Sequence, residues 1–107
     1  MYRLVRAEFP YTERKGKKKR PVLLLTDGSY GKYKIVVVAY VISRKGEGLE
    51  SEIYVKKSVK NGLKKDSVVK LHKLVNISES ALKGELGVLP VRLEKEVKGK
   101  LKKLFDL

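Results

Sequence analysis

Ile35-Val36-Val37-Val38-Ala39-Tyr40-Val41-Ile42 is the longest apolar run in the chain, and its reading decides the fold. A run of this length, rich in β-branched side chains, suits a strand, where branched Cβ atoms pack well on a pleated surface. It is far too short to cross a bilayer as a helix. Lys34 to Ser43 therefore reads as one long central strand. On its N-terminal side, Asp27-Gly28-Ser29-Tyr30-Gly31 is a turn cluster. Before that, Val22 to Thr26 is nearly all apolar, which predicts a strand covered on both faces. Leu4, Val5, Ala7 and Phe9 suggest a first strand ended by Pro10. On the C-terminal side, Arg44-Lys45-Gly46-Glu47-Gly48 closes the central strand. Glu52 to Lys57 alternates with Ile53 and Val55 inward, Asn61-Gly62 makes a tight turn, and Val68 to Leu74 forms a fifth strand after Asp66-Ser67.

Beyond this point the period changes. Ser78 can cap a short helical turn through Ala81 to Lys83, with Gly84 as its stop. Pro90 suits the first turn of a final helix in which Leu93, Val97, Leu101 and Leu104 recur as one apolar stripe. Gly99 costs that helix about 1 kcal/mol relative to alanine. Five or so short strands followed by a helix describe a mainly β fold, a small, partly open barrel with a terminal helix packed on it. No repeat, linker or second domain interrupts residues 1–107, so one domain is expected.

The charge is as informative as the pattern. The 107 residues carry 26 lysines and arginines against 12 aspartates and glutamates, a net charge of +14. Such a field attracts polyanions, chiefly nucleic acid, or an acidic protein. Thermophile-like lysine enrichment usually raises glutamate as well, and here it does not. Cysteine is absent, which excludes disulfides, thiolate metal sites and cysteine nucleophiles. Met1 to Arg6 is interrupted by charge and lacks the apolar region of a signal peptide, so a cytoplasmic protein without a membrane segment is expected.

Phe9-Pro10-Tyr11-Thr12 leads into a basic loop, Arg14, Lys15, Lys17, Lys18 and Lys19, and then into Arg20-Pro21. Proline fixes its own φ and drives the preceding residue toward extended backbone, so Arg20 is presented in a restricted direction. A fixed arginine beside mobile cations can hold a phosphate; a solvated hairpin loop with a gatekeeper charge is the plainer reading. His72 is the single histidine. Period-two alternation would place it on one face with Lys70, roughly 7 Å away. Its imidazole can serve as acid or base near neutral pH, or be an ordinary hydrogen-bonded surface group. Tyr11, beside the basic loop, can stack on a base. One histidine, no cysteine and scattered carboxylates offer no metal-ligand set, and the glycines match no phosphate-binding or dinucleotide motif, so no metal or cofactor is expected.

Four segments in order resemble the PemK/MazF family of toxin endoribonucleases: Glu8-Phe9-Pro10-Tyr11-Thr12; Lys18-Lys19-Arg20-Pro21-Val22-Leu23-Leu24-Leu25; Gly62-Leu63-Lys64-Lys65-Asp66-Ser67-Val68-Val69; and Leu86-Gly87-Val88-Leu89 with the helix after it. The resemblance spans nearly the whole chain. It implies an SH3-like barrel of five to seven strands, a homodimer with single-stranded RNA along its interface, an acidic antitoxin as partner, and metal-independent cleavage by 2′-OH attack on the adjacent phosphorus. In the family the arginine of Arg-Pro is catalytic, which falls on Arg20. Where relatives carry Thr-Ser or Thr-Ala after the central strand, this chain has Ile42-Ser43, so the hydroxyl is absent or displaced by one residue. Where relatives have Asp-Gln or Glu-Gln, it has His72-Lys73; some members place arginine and aspartate at the positions of Lys70 and His72. The expected site is thus Arg20 as electrostatic catalyst, His72 as acid or base, and Lys70 and Ser43 as phosphate contacts. Tyr11, Arg14, Lys15, Lys17, Lys18, Lys19 and Lys73 would hold RNA. A barrel that binds RNA or an antitoxin without cutting is the alternative.

Overall fold

The computed structural model describes residues 2–9 and 19–107. The basic-loop candidates Tyr11, Arg14, Lys15, Lys17 and Lys18 lie outside them. Among the described residues six strands, β1 (Arg3–Glu8), β2 (Lys19–Leu24), β3 (Ile35–Ile42), β4 (Glu52–Val55), β5 (Ser67–Ser78) and β6 (Leu82–Val88), precede one helix, α1 (Val91–Leu104). They form a single sheet in the order β4-β5-β3-β2-β1-β6, antiparallel throughout. The expected mainly β architecture with a terminal helix is therefore present.

The strands at the centre of the sheet bury both faces, as their apolar runs require. Leu4, Leu23, Ala39 and Val41 enter one cluster, joined by Ile53 and Val55 of β4 and capped by Leu93 and Val97 of α1. Val5, Val22, Leu24, Val36 and Val38 enter a second cluster on the other face, with Phe9 and Ile77. There the Phe9 and Tyr40 rings meet at 5.3 Å between centroids. Of the expected helix stripe, Leu93 and Val97 are buried, Leu101 is partly covered and Leu104 is 41% exposed.

Three elements differ from the sequence reading. β5 runs on to Ser78 rather than stopping at Leu74. Ser78 does cap a helical turn, its Oγ accepting from the Ser80 N–H, but that turn is a 3-10 turn of Glu79–Ala81 only. The chain then forms β6, a strand not anticipated, which pairs with β1 through register shifts at Leu4/Val5 and Arg6/Ala7. Those bulges, with Gly84 at φ +151°, erase the alternation that would have announced it.

Edge strands β4 and β6 are brought together by the segment after β4. The Val88 N–H donates to the Lys60 carbonyl at 3.0 Å. A Cβ on Gly87 would lie 2.0 Å from the Lys60 oxygen, and one on Gly62 2.1 Å from the Leu86 oxygen. Gly62 also sits at φ +69°. Beside this seam Asn61 is fully buried, its Oδ1 accepting from the Ser58 and Leu63 N–H groups and its Nδ2 donating to the Lys56 carbonyl. Gly87→Ala should lower the urea midpoint with an unchanged m-value, a loss of more than about 2 kcal/mol. An unaltered midpoint would mean that the two backbones can part without cost.

Candidate active site

β2 and β3 pair only over Val22–Tyr40, Leu23–Ala39 and Leu24–Val38. Before Val22, Lys19 to Pro21 stay paired with β1 while the β3 side opens, and Pro21, with no N–H to give, stands just outside that ladder. The opening is a cleft of about 520 Å³ whose lining includes Arg20, Ser43, Glu47, Lys70 and Lys73. Pro21 and Ser43 also line a neighbouring cleft of about 480 Å³, to which Arg6, Lys19, Lys64 and Lys65 contribute cations. Ser43 stands just after β3 ends, exposed, where the pleat no longer dictates its direction; both it and Ile42 line the larger cleft.

β5 is bent at the site. Its register with β3 jumps from Tyr40–Lys70 to Ala39–Leu74, so Leu71, His72 and Lys73 form a three-residue bulge. Simple alternation fails across it: Val69 and Leu71 face the helix-side cluster, while Ile77 faces the other. The outcome is that Lys70 and Lys73 both line the cleft and His72 is not among the residues that do. The His72 ring instead meets the Ser51 hydroxyl, Nδ1 to Oγ, at 2.7 Å. Of the described site candidates, the structure brings together Arg20, Ser43, Lys70 and Lys73, and places Lys19 in the adjoining cleft and His72 beside Ser51.

Two residues the sequence reading passed over complete the cluster. Lys70 is only 4% exposed and is ion-paired with both Glu47 and Glu52. Glu52, on β4 opposite Lys70, is 2% exposed. Its carboxylate accepts from the Glu47 N–H at 3.0 Å and the Leu49 N–H at 3.0 Å, and from the Lys70 ammonium at 3.0 Å. Burial would push the Glu52 carboxyl up; the two N–H groups and the ammonium outweigh it and bring the pKa from 4.5 down to about 2. Lys70 is held above its usual value by Glu47 first and Glu52 second, against the cost of burial. Glu47 falls below the usual carboxylate range, chiefly through its hydrogen bond and charge contact with Lys70. The only hint in the sequence was the alternation of β4, which turns Glu52 to the same side as Tyr54 and away from Ile53.

Six strands and one helix among the described residues, with a cationic cleft at the divergence of two strands, define a small, basic barrel protein. The family described as PemK-like, MazF-like toxin of type II toxin–antitoxin systems matches residues 2–105, and the chain belongs to that family. Among solved structures it resembles the Mycobacterium tuberculosis toxin MazF-mt6, at 27% identity and TM-score 0.76, covering 98% of this chain and 97% of that one. It shares its fold with another M. tuberculosis toxin at 24% identity and TM-score 0.71, covering 94% and 98%. It also shares it with a mycobacterial endoribonuclease solved with its cognate antitoxin, at 12% identity and TM-score 0.72, covering 98% and 92%. No match is found among curated proteins. Among the described residues no helix is long and apolar enough to cross a membrane, and no three His, Cys, Asp or Glu side chains group as metal ligands.

The charge cluster dictates a pH response. Because the folded pKa of Glu52 is depressed, its contribution to stability is complete above about 4.5 and disappears as the pH falls toward about 2. Glu47 acts in the same direction, as does Glu50, which lies outside the cluster and is ion-paired with Lys103 of α1. Lys70 has the opposite sign: its contribution is complete below 10.5 and is lost only at more alkaline pH. Glu52→Gln should be less stable than wild type at pH 7 and show a flatter loss of stability between pH 4.5 and 2, followed by circular dichroism during urea unfolding. Parallel pH profiles for the two proteins would reject the assignment.

Proposed function

We propose that this toxin is an endoribonuclease that cuts single-stranded RNA in the Arg20 cleft, by attack of a 2′-OH on the neighbouring phosphorus. The observation that supports this reading most directly is the convergence of Arg20, Lys70, Lys73 and Ser43 on one cleft at the end of the β2–β3 ladder. Guanidinium and ammonium groups held there would offset the extra negative charge of the pentacoordinate transition state, usually the greatest rate contribution a fixed polar site can make. Arg20, on β2 and braced by Pro21, is the electrostatic catalyst; Ser43 supplies a hydroxyl near the position where relatives carry threonine. Lys19, Lys64, Lys65 and Arg6 in the adjoining cleft would hold the backbone of the strand on either side of the cut. The need for a 2′-OH makes DNA a ligand and not a substrate. An acidic antitoxin segment would compete for the same cations. The protein would act in the cytoplasm as a homodimer.

A second reading, binding without cleavage, draws on two specific features. Ile42 leaves the family's threonine position without a hydroxyl, and the Lys70 charge is already answered by two carboxylates. Incubation with a long single-stranded RNA in chelator separates the readings. Wild type should give discrete fragments and Arg20→Ala should lose about two orders of magnitude in rate or more, by comparison with removal of one preorganised charge-stabilising donor. Salt-dependent binding with no product would favour the second reading, and equal cleavage by Arg20→Ala would remove Arg20 from the mechanism.

A further inference from the structure

Among the described residues, Glu47 is the one carboxylate in the lining of the Arg20 cleft. Its side chain is 62% exposed, yet it pairs with the buried Lys70. Lys70 does not need it for burial, because Glu52 already supplies a buried counter-charge at 3.0 Å. The backbone beneath Glu47 is fixed: its N–H donates to both carboxylate oxygens of Glu52, at 3.0 and 3.1 Å, and the Leu49 N–H adds a third bond. Gly46 permits this seating, since a Cβ there would stand 2.6 Å from the Tyr54 hydroxyl and 2.9 Å from a Glu52 oxygen. A carboxylate presented to solvent from an anchored backbone, in a cleft whose other charged lining residues are all cations, is placed for chemistry.

We infer that Glu47 is the proton acceptor of the cleavage reaction, with Glu52 as the residue that positions it; the inference rests on the ribonuclease reading. In the step, the 2′-oxygen forms a bond to phosphorus as its proton passes to the Glu47 carboxylate. The bond from phosphorus to the 5′-oxygen breaks, and that oxygen takes a proton from the Lys73 ammonium. Arg20 balances the charge on the non-bridging oxygens. The products are a 2′,3′-cyclic phosphate and a 5′-hydroxyl, and solvent returns Glu47 and Lys73 to their starting states. Lys70 keeps Glu47 ionised at neutral pH but weakens it as a base. An arriving phosphodiester supplies Lys70 with a negative charge beyond those of Glu47 and Glu52, which relaxes its hold on Glu47 and raises the proton affinity of the carboxylate as substrate binds. The charged and titratable groups that act on Glu47 are Lys70 and His72 from β5 and Glu52 from β4, and Arg20 from β2, Lys73 from β5 and Arg44 and Lys45 of its own loop share the lining of its cleft.

The test uses the full chain, single-stranded RNA in chelator for rates, and a 2′-O-methylated RNA for affinity without cleavage. Glu47→Gln should lower the single-turnover rate by about 10²–10⁴-fold, the range for losing a general base, while RNA affinity stays equal or tightens. The acidic limb of its pH–rate profile should vanish, and Glu47→Asp should recover part of the rate. Circular dichroism confirms that each variant is folded. A Glu47→Gln rate equal to wild type, with Arg20→Ala inactive, overturns the inference and leaves the ribonuclease reading standing. Faster cleavage with tighter binding also overturns it, since Glu47 would then be only a competitor of the phosphate. Absence of cleavage by wild type overturns the ribonuclease reading itself and this inference with it.

Discussion

The backbone contact between Gly62 and Leu86, and between Gly87 and Lys60, is the constraint on which the remaining geometry depends. A sheet whose strand order ends in β4 and β6 has two open edges, each a row of unpaired amides. Crossing Lys60–Gly62 over Leu86–Val88 ties the segment after β4 to the last strand. Only glycine admits two backbones this close, so closure fixes Gly87, and closure together with the positive φ of the turn fixes Gly62. The same crossing sets Lys64 and Lys65 in one cleft with Arg6 and Lys19, which come from the other end of the chain. Closure of the barrel and assembly of the cationic surface are one event.

Within that frame the buried lysine organises the site. Removing an ammonium from water is costly even after the surroundings relax, and Lys70 meets that cost with a buried carboxylate on β4 and an exposed one on the preceding loop. Since Glu52 also receives the loop's N–H groups, strand β4, the loop carrying Glu47 and Leu49, and strand β5 are locked through a single side chain. A well-packed apolar pair would give comparable stability at less electrostatic cost. The cluster is therefore better explained by the geometry it imposes, a fixed loop that leaves Glu47 exposed at the cleft, than by what it adds to the fold.

How far the chain could be read depended on whether periodicity survived. The β-branched run of β3, the two-faced burial of Val22 to Leu24 and the Leu93–Val97 face of α1 were legible because each is a regular pattern with apolar residues in phase. Leu82–Val88 was not: two bulges and two glycines leave no alternation to detect. The same limit governed the site. Arg20 could be singled out because Pro21 follows it, a constraint written in two adjacent residues. Lys70 and His72 looked like neighbours on one face because alternation was carried across positions 71–73, where the structure inserts a bulge. Glu47 and Glu52 gave almost no signal, because a buried ion pair is a tertiary fact with no period.

Attraction and the proposed reaction would draw on different parts of the charge distribution. Glu47, Glu50, Glu52, Glu85 and Glu96 all form ion pairs with lysine or arginine of the same chain. Pairs at the surface, such as Arg3–Glu85, contribute little to stability, and each takes up one charge of either sign and so leaves the net charge unchanged. The chain keeps a net charge of +14 whatever is paired, and cations make up most of the charged lining of the two clefts that meet at Ser43. Such a field raises the encounter rate with any polyanion and falls steeply with salt, yet it cannot by itself choose a bond to break. Under the proposed ribonuclease reading, selection of one phosphodiester would have to come from groups whose direction is fixed: a guanidinium braced by proline, and a carboxylate on a backbone clamped by Glu52. Attraction is spread over the surface, whereas the proposed reaction would be confined to the place where the β2–β3 ladder ends.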